Sequence, residues 1–306
     1  MGKKIRNTDP SKVHLITIRT ENAALFLRPG KGLENLLGGI VAKYQEETGL
    51  EIFAYNFLGN HYHILCRAPK AAVWEFAEDV NREIAKRVNF FIRRHGHFWS
   101  RPYDDQIVVE VPDATEAFLY ITTNAVHHGL VSHPSQWPGL NSYWQSLREE
   151  PKRYFFTNYT EYSKALRKAK RTKEAVRVED HQTSHLLTLT PLPQFETLTT
   201  RQRTNKLRIL IDGRAQNLKD ERLKTGKRFM GREKVLAQSP YQIPANVKRS
   251  PRPLCYTKSF EAKQSFMDEY FPKLADYIDA SKRFRAGDLY TEFPPYTIKP
   301  PLLHLL

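Results

Sequence analysis

The chain has 306 residues, 40% of them hydrophobic and 12% aromatic, so it is long enough to bury a core and too apolar to be disordered. No stretch approaches the ~20 consecutive apolar residues of a membrane span, and the basic start lacks the apolar segment of a signal peptide. Two cysteines are too few for a disulfide framework. We therefore expect a cytoplasmic protein with no membrane partner. The net charge of +15 lies entirely after residue 150, where there are 31 basic and 16 acidic residues.

The first half alternates between strand and helix patterns. Alternating β-branched residues predict strands, and apolar residues at helical spacing predict helices. In chain order we predict a strand at 13–20, a helix at 32–49, strands at 50–59 and 61–68, a helix at 73–96, a strand at 106–111, and a helix at 113–129 that begins with a capping box from Asp113 to Glu116. The order β-α-β-β-α-β-α predicts an α+β, ferredoxin-like split βαβ fold with helices on one face of an antiparallel-rich sheet.

The second half is basic and mainly helical. We predict a basic helix at 164–177, a linker at 181–194, a helix at 200–223, a basic turn at 224–235, a long helix at 258–285 and a Pro-rich tail at 293–306 that lies extended against a surface. The change of texture places a domain boundary near residue 150. A region this basic suits a polyanion, and nucleic acid comes first; the alternative is an inert basic surface.

Two histidines flank one residue in the segment "FLGNHYHILCRAP" (57–69). A β-strand sends alternate side chains to opposite faces, so His61, His63 and Leu65 share one face while Tyr62 lies on the other. Two neutral imidazoles side by side can bind a divalent metal. The alternative is a half-exposed strand whose histidines simply meet solvent.

The helix predicted at 113–129 carries two further polar side chains. Tyr120 and Asn124 are four residues apart, so they are neighbours on one helix face. If that helix packs beside the histidine strand, two imidazoles and an amide oxygen would surround a metal, with a phenol next to it. Such a site suits attack of a phenolate on phosphorus, and its mixed N/O ligands fit Mg²⁺ or Mn²⁺ better than structural zinc. The alternative for Tyr120 is a core aromatic.

The ordered motifs "GNHYHIL", "YITTN" and "GLV" resemble those of the HUH single-tyrosine transposases, and within them the REP-associated tyrosine transposases. The resemblance covers about residues 13–145, and "FMGREKVLAQSP" (229–240) is similar to the extended C-terminal region of some members. It implies the HUH endonuclease fold in residues 1–150, with an accessory DNA-binding region in 151–306. It also implies that Tyr120 is the nucleophile and that the metal ligands are His61, His63 and Asn124.

The resemblance further implies a substrate, single-stranded DNA with a REP-like hairpin. Cleavage would leave a 5′-phosphotyrosine and a free 3′-OH, and the protein would be nucleoid-associated, as a monomer or a homodimer. The helix end "NAVHHGLV" departs from the family pattern because a histidine replaces an arginine that would touch DNA. The candidate DNA contacts are Arg19, Arg101, His127, Lys168, Lys170, Arg171, Lys227, Arg228 and Arg232; His127 could instead cap the helix end.

Two other functions remain open at this point. A hairpin-binding protein could keep the fold and lose the chemistry, but the intact set of Tyr120, His61, His63 and Asn124 favours an enzyme. A replication-initiator or relaxase nickase shares the same metal motif. Such an enzyme would carry a second tyrosine near the first, whereas the nearest downstream tyrosine here is Tyr143, beyond a loop.

Overall fold

The patterns of the first half produce the predicted order of elements. The computed structural model describes residues 4–30, 32–70, 73–245 and 252–301. The elements of the first half are β1 (Val13–Arg19), α1 (Leu33–Thr48), β2 (Glu51–Phe57), β3 (His61–Arg67), α2 (Val73–Phe91), β4 (Asp104–Val108), α3 (Val111–Thr122) and the short α4 (Asn124–His127). The predicted order β-α-β-β-α-β-α and the α+β class are confirmed.

The second half adds five helices and three strands in the described part of the chain. They are α5 (Tyr143–Arg148), β5 (Lys152–Thr157), α6 (Tyr159–Thr172), β6 (Gln182–Leu187), α7 (Thr200–Lys224), α8 (Arg232–Ala237), β7 (Cys255–Tyr256) and α9 (Phe260–Arg285). None of the described helices is long and apolar enough to cross a membrane. The predicted linker at 181–194 is wrong in its first half, because β6 lies there and pairs antiparallel with β5.

The central sheet has five strands in the order β2-β3-β1-β4-β7. All neighbours pair antiparallel except β4 and β7, which are parallel. The Ile107 N–H donates to the Leu254 carbonyl at 3.3 Å, and the Val109 N–H donates to the Tyr256 carbonyl at 3.2 Å. A segment from the end of the chain therefore covers the outer edge of a strand from the first half.

Helices cover both faces of this sheet, whereas the sequence predicted helices on one face only. Ile16 and Ile64 pack with residues of α1 and α2 in one core. Leu15 and Leu65, the next residues along the same strands, pack with α3 in a second core. The physical reason is that both faces of β3 are buried and carry apolar side chains, such as Ile64 on one face and Leu65 on the other, so each face requires a covering layer.

Two predicted boundaries near the end of the first half are wrong. The strand predicted at 106–111 is β4 at 104–108, and α3 begins at Val111 rather than after Asp113. Glu110 is the N-cap, and Asp113 lies three residues into the helix, where its Oδ2 accepts the Glu110 N–H at 3.2 Å. The backbone then departs from helical angles at Thr123 (φ −98°, ψ 7°), so the predicted helix 113–129 is two helices, α3 and α4.

Side chains from beyond residue 150 complete both cores. The first core includes Tyr154, Phe156 and Leu187 from the β5–β6 pair, which lies on α1. The second includes Leu207 and Ile211 from α7, whose predicted apolar stripe is confirmed. The division into residues 1–150 and 151–306 as domains stays a prediction.

The Pro-rich tail lies against the N-terminal segment. The Thr8 N–H donates to the Tyr296 carbonyl at 3.1 Å, and the Tyr277 hydroxyl donates to the Ile298 carbonyl at 2.9 Å. The last part of the predicted tail, residues 302–306, lies outside the described residues.

Gly39 allows the close approach of α1 to β5. A Cβ at this position would overlap the Phe155 carbonyl group, which belongs to the backbone and cannot rotate away. We expect Gly39→Ala to lower the free energy of unfolding by about 1–3 kcal/mol, as overpacking does, although alanine favours a helix. Gly213→Ala in α7 is the matched control, since its Cβ would meet nothing within 4 Å. Urea unfolding measures the free energy of unfolding of both variants. A Gly39→Ala variant as stable as Gly213→Ala would contradict the close packing of α1 on β5.

Candidate active site

The two histidines of β3 lie side by side on the face that α3 covers. Their ring centroids are 5.0 Å apart, and both side chains are buried, with His61 7% and His63 4% exposed. Tyr62 lies on the opposite face, where its hydroxyl donates to Asn81 Oδ1 at 2.8 Å. The strand alternation predicted from the sequence is therefore confirmed.

The end of α3 brings the tyrosine and the asparagine to the same place. The Tyr120 ring centroid lies 5.2 Å from that of His63. Asn124 is fully buried, and its amide lies close enough to His61 and Tyr120 to change the pKa of each. All four side chains come together within one chain.

Several polar atoms at this site are buried and have no hydrogen-bond partner of normal geometry among the residues that the structure describes. They are His63 Nε2, both side-chain atoms of Asn124, and Oδ1 of Asn56, which lies opposite His63 on β2. A buried polar group without a partner costs about 1–3 kcal/mol, so such groups are usually satisfied by a ligand. Imidazole nitrogen and amide oxygen are suitable donors for a divalent metal.

The donor set differs from that of a common structural metal site. Within the described residues, no three His, Cys, Asp or Glu side chains form a metal-binding group. A metal here would therefore be held by His61, His63 and the amide oxygen of Asn124, with other positions open to water or substrate. Open positions are typical of catalytic rather than structural sites.

Burial keeps the two imidazoles neutral. It lowers the pKa of His63 to about 3, and the nearby His128 and Arg19 lower it in the same direction. Burial also holds the pKa of His61 well below its ordinary value, with contributions from His63, His128 and Arg19. A metal binds the neutral form of imidazole, so both side chains are in the binding state at neutral pH.

Stability of the metal-free protein should fall in acid because of these histidines. The pKa of His63 is 6.5 unperturbed and about 3 when folded, so between these values the unfolded chain binds more protons. The free energy of unfolding therefore has its full value above about pH 6.5. It decreases toward pH 3, by up to about 1.4 kcal/mol per pH unit for one such histidine. Urea unfolding in EDTA from about pH 7 to 5 should show a shallower pH dependence for His63→Gln. An unchanged pH dependence would contradict this account.

Arg19 faces the site from the strand next to the histidines. It pairs in register with His61, and its charge lowers the pKa of Tyr120, although burial, the larger effect, raises that pKa. Arg101 lies near Arg19 and forms an ion pair with Asp104 at 3.0 Å. These two predicted DNA contacts therefore lie at the edge of the site.

His127 and His128 follow Asn124 at the exposed end of α4. The His127 ring centroid lies 6.4 Å from that of Tyr120, and the His128 centroid lies 5.6 Å from that of His61. Both side chains are also exposed to solvent. The role of His127 as a DNA contact stays a prediction, and His128 was not among the predicted site residues.

The two groups of predicted basic residues lie in different places. The loop that contains Lys227 and Arg228 pairs with the chain just after α4, because Met230 N–H donates to the Gly129 carbonyl at 2.9 Å and Gly231 N–H donates to that of Leu130 at 2.9 Å. Arg232, the first residue of α8, follows directly. In contrast, Lys168, Lys170 and Arg171 lie on α6, whose main tertiary contact is with residues 178–181. The structure thus places the first group beside the chain that follows α4, and the second group on a separate helix.

Sequence reasoning missed three polar side chains at the site, two of which contact its histidines. Thr17 Oγ1 lies 2.7 Å from His63 Nδ1, and Asn60 Oδ1 lies 2.6 Å from His61 Nδ1. Asn56 Nδ2 donates to the Ile121 carbonyl at 2.9 Å, which ties the end of α3 to the sheet. Each is a polar residue within or beside an apolar strand, which was the available signal.

Known proteins resemble this chain in its first half. Residues 8–124 match the model of a family described as IS200-like transposases. A REP-associated tyrosine transposase, solved bound to a REP hairpin, is 16% identical, with 48% of this chain and 86% of that chain covered at a TM-score of 0.42. A candidate transposase from Deinococcus radiodurans is 21% identical, with 38% and 92% covered at a TM-score of 0.29. Both TM-scores are too low to assign a role to any residue here. No curated protein matches the sequence significantly.

Proposed function

Because residues 8–124 match the model of the IS200-like transposases, we propose that the chain is a metal-dependent, single-stranded DNA endonuclease and strand transferase of this family. It cleaves beside a DNA hairpin through a 5′-phosphotyrosine intermediate. The observation that carries this proposal is the meeting of Tyr120 with His61, His63 and Asn124 inside one chain. A phenol beside neutral imidazoles and an unpartnered amide suits phosphoryl transfer.

The chemistry follows from the position of Tyr120. Its oxygen loses a proton and forms a bond to phosphorus, and the bond from phosphorus to the 3′ oxygen breaks, with a proton completing the 3′-OH. Arg19 favours the phenolate by its charge, and we propose that it contacts the scissile phosphate. A bound Mg²⁺ or Mn²⁺ would polarise a phosphoryl oxygen, and His61, His63 and Asn124 would hold it.

The rejoining step uses the same residues in reverse. The phosphotyrosine conserves the energy of the broken bond, so the 3′-OH of another DNA end can attack phosphorus and release Tyr120. Because the Tyr120 ring lies beside His63 of the same chain, we propose that Tyr120 acts with the histidines of its own chain, whether the protein is a monomer or a homodimer. A REP-like hairpin is the proposed substrate, because the motifs "GNHYHIL" and "YITTN" resemble those of REP-associated transposases.

The two alternatives fit the site less well. A hairpin-binding protein without chemistry would not need a phenol and unpartnered amide atoms at one buried point. An initiator or relaxase would need a second tyrosine near the first. Tyr143 lies on α5, and its ring centroid is 5.3 Å from that of His133 and 4.9 Å from that of Trp144. Neither histidine of β3 is among its ring contacts.

A cleavage assay tests the proposal directly. Labelled single-stranded DNA with REP-like hairpins and flanking bases is incubated with the protein in Mn²⁺ or in EDTA. We expect a covalent protein–DNA adduct in Mn²⁺ and none in EDTA. Tight binding of the hairpins without any adduct, over a series of flanking sequences, would instead support the binding protein.

The basic loop beside the site should dominate DNA binding. We expect the triple change Lys227→Gln, Arg228→Gln and Arg232→Gln to weaken binding and to reduce the salt slope of the binding constant by about 2, since each lost contact to single-stranded DNA removes ~0.7.

The matched control removes the same number of charges from α6, as Lys168→Gln, Lys170→Gln and Arg171→Gln. Its effect on the slope should be smaller, because α6 lies away from the site. Fluorescence anisotropy over a range of salt concentrations gives both slopes. A larger change of the salt slope in the α6 variant would mean that α6, and not the loop at 227–232, makes the main contacts to DNA.

A further inference from the structure

Both histidines of β3 have one ring nitrogen occupied by a neighbouring side chain. His61 Nδ1 lies 2.6 Å from Asn60 Oδ1, and His63 Nδ1 lies 2.7 Å from Thr17 Oγ1. Within the described residues, the Nε2 atom of His63 is buried without a hydrogen-bond partner. In each ring, Nδ1 is therefore bound to a neighbouring side chain, and Nε2 is the nitrogen that this contact leaves for another ligand; the Asn124 amide lies beside the His61 ring.

The Asn60 amide has only one possible orientation. Its Nδ2 donates to the Ala23 carbonyl at 3.1 Å, so the atom that faces His61 is the oxygen. An amide oxygen accepts hydrogen bonds and cannot donate one. The proton of neutral His61 must then be on Nδ1, and its Nε2 carries the lone pair.

The turn that carries Asn60 is itself held in place. Its backbone carbonyl accepts the Thr20 N–H at 2.9 Å and the Thr20 hydroxyl at 3.1 Å. The Leu27 N–H donates to the Gly59 carbonyl at 2.8 Å, and a Cβ at Gly59 would touch Leu25 at 3.0 Å. The loop at 20–27 therefore fixes the Ala23 carbonyl, which in turn fixes the amide.

We propose that Asn60 is a positioning residue that holds His61 in the Nδ1–H tautomer, so that its Nε2 lone pair is presented to the metal. This inference rests on the proposed function, because it assumes that His61 is a metal ligand. Thr17 acts differently on His63, since a hydroxyl can either donate or accept and so permits both tautomers. Asn60 alone imposes a tautomer, and its effect reaches the metal through His61.

The tautomer can be measured without metal or DNA. In protein labelled with ¹⁵N-histidine and kept in EDTA, two-bond ¹H–¹⁵N correlation spectra show which ring nitrogen carries the proton, and His61→Gln assigns the signal. We expect the Nδ1–H form in the wild type and in Asn60→Asp, whose carboxylate still accepts the hydrogen bond from Nδ1–H. Asn60→Ala should show a mixture of tautomers. A wild-type His61 with its proton on Nε2 would overturn the proposal.

Metal affinity gives the second readout, by calorimetry with Mn²⁺. We expect Asn60→Ala to bind Mn²⁺ about 10–100-fold more weakly, as is typical for the loss of an outer hydrogen bond to a ligand, and Asn60→Asp to restore the affinity. Thr20→Val is the matched control: it removes hydrogen bonds to the Ala24 and Asn60 carbonyls in the same turn without touching the imidazole. An equal loss in Thr20→Val would show that the turn, and not the tautomer, matters.

These outcomes separate the inference from the proposed function. If wild-type protein binds Mn²⁺ but forms no adduct with DNA, the endonuclease proposal fails while the tautomer result stands. If the adduct forms but Asn60→Ala binds Mn²⁺ as well as wild type does, the role of Asn60 fails alone.

Discussion

Replacing Tyr120 with phenylalanine should abolish the covalent protein–DNA adduct and reduce cleavage by about 10⁴-fold or more, as the loss of a nucleophile does in other enzymes. The change removes one oxygen and keeps the ring, whose centroid lies 5.2 Å from that of His63. Folding, Mn²⁺ affinity and hairpin binding should therefore stay close to those of the wild type. Denaturing gels with labelled DNA measure the adduct, and calorimetry measures the metal.

Tyr143→Phe is the control for this change. It removes the same atom from the nearest downstream tyrosine, which lies against His133 and Trp144. We expect it to form the adduct at the wild-type rate. An adduct that persists in Tyr120→Phe and disappears in Tyr143→Phe would assign the nucleophile to Tyr143 and favour the initiator or relaxase alternative.

His61→Gln should weaken Mn²⁺ binding by about 100-fold or more, which exceeds the range expected for the loss of an outer hydrogen bond. Glutamine has a similar length but lacks the imidazole lone pair, so the loss reports on the ligand itself. Cleavage should fall with metal occupancy and recover in part at high Mn²⁺ concentration. Calorimetry and the adduct assay, measured on the same preparation, check both statements.

His133→Gln serves as the matched control for the metal. This histidine is partly exposed and contacts Asp212 at 3.2 Å, away from β3. Its replacement should leave Mn²⁺ affinity unchanged. Equal losses from His61→Gln and His133→Gln would mean that the measured Mn²⁺ binds elsewhere or non-specifically.

The sequence predicted the histidine strand well because its pattern depends on backbone geometry alone. Alternation along β3 places His61 and His63 on one face whatever packs there. The sequence predicted that Tyr120 would lie near the histidines only if its helix packs on their face of the sheet, because the residue pattern does not show which face α3 covers. The sequence pattern therefore located the candidate site, and packing explains how it is assembled.

The errors at α3 and β6 have local physical causes. "DATE" at 113–116 looks like a capping box, but Pro112 is favoured in the first turn of a helix, and Glu110 caps one turn earlier. In β6 only Leu187 is buried, so no apolar alternation marks the strand. Its stability comes from pairing with β5 and from packing on α1, both distant in the sequence.

The strand pairing between β4 and β7 limits how the chain can be divided. A fragment that ends near residue 150 would lack β7, and the N–H groups of Ile107 and Val109 would lose their acceptors. A bare edge strand of this kind readily pairs with other molecules and promotes aggregation. Residues 1–150 should therefore be expressed together with the C-terminal segment that contains β7, because a shortened protein would be prone to self-association.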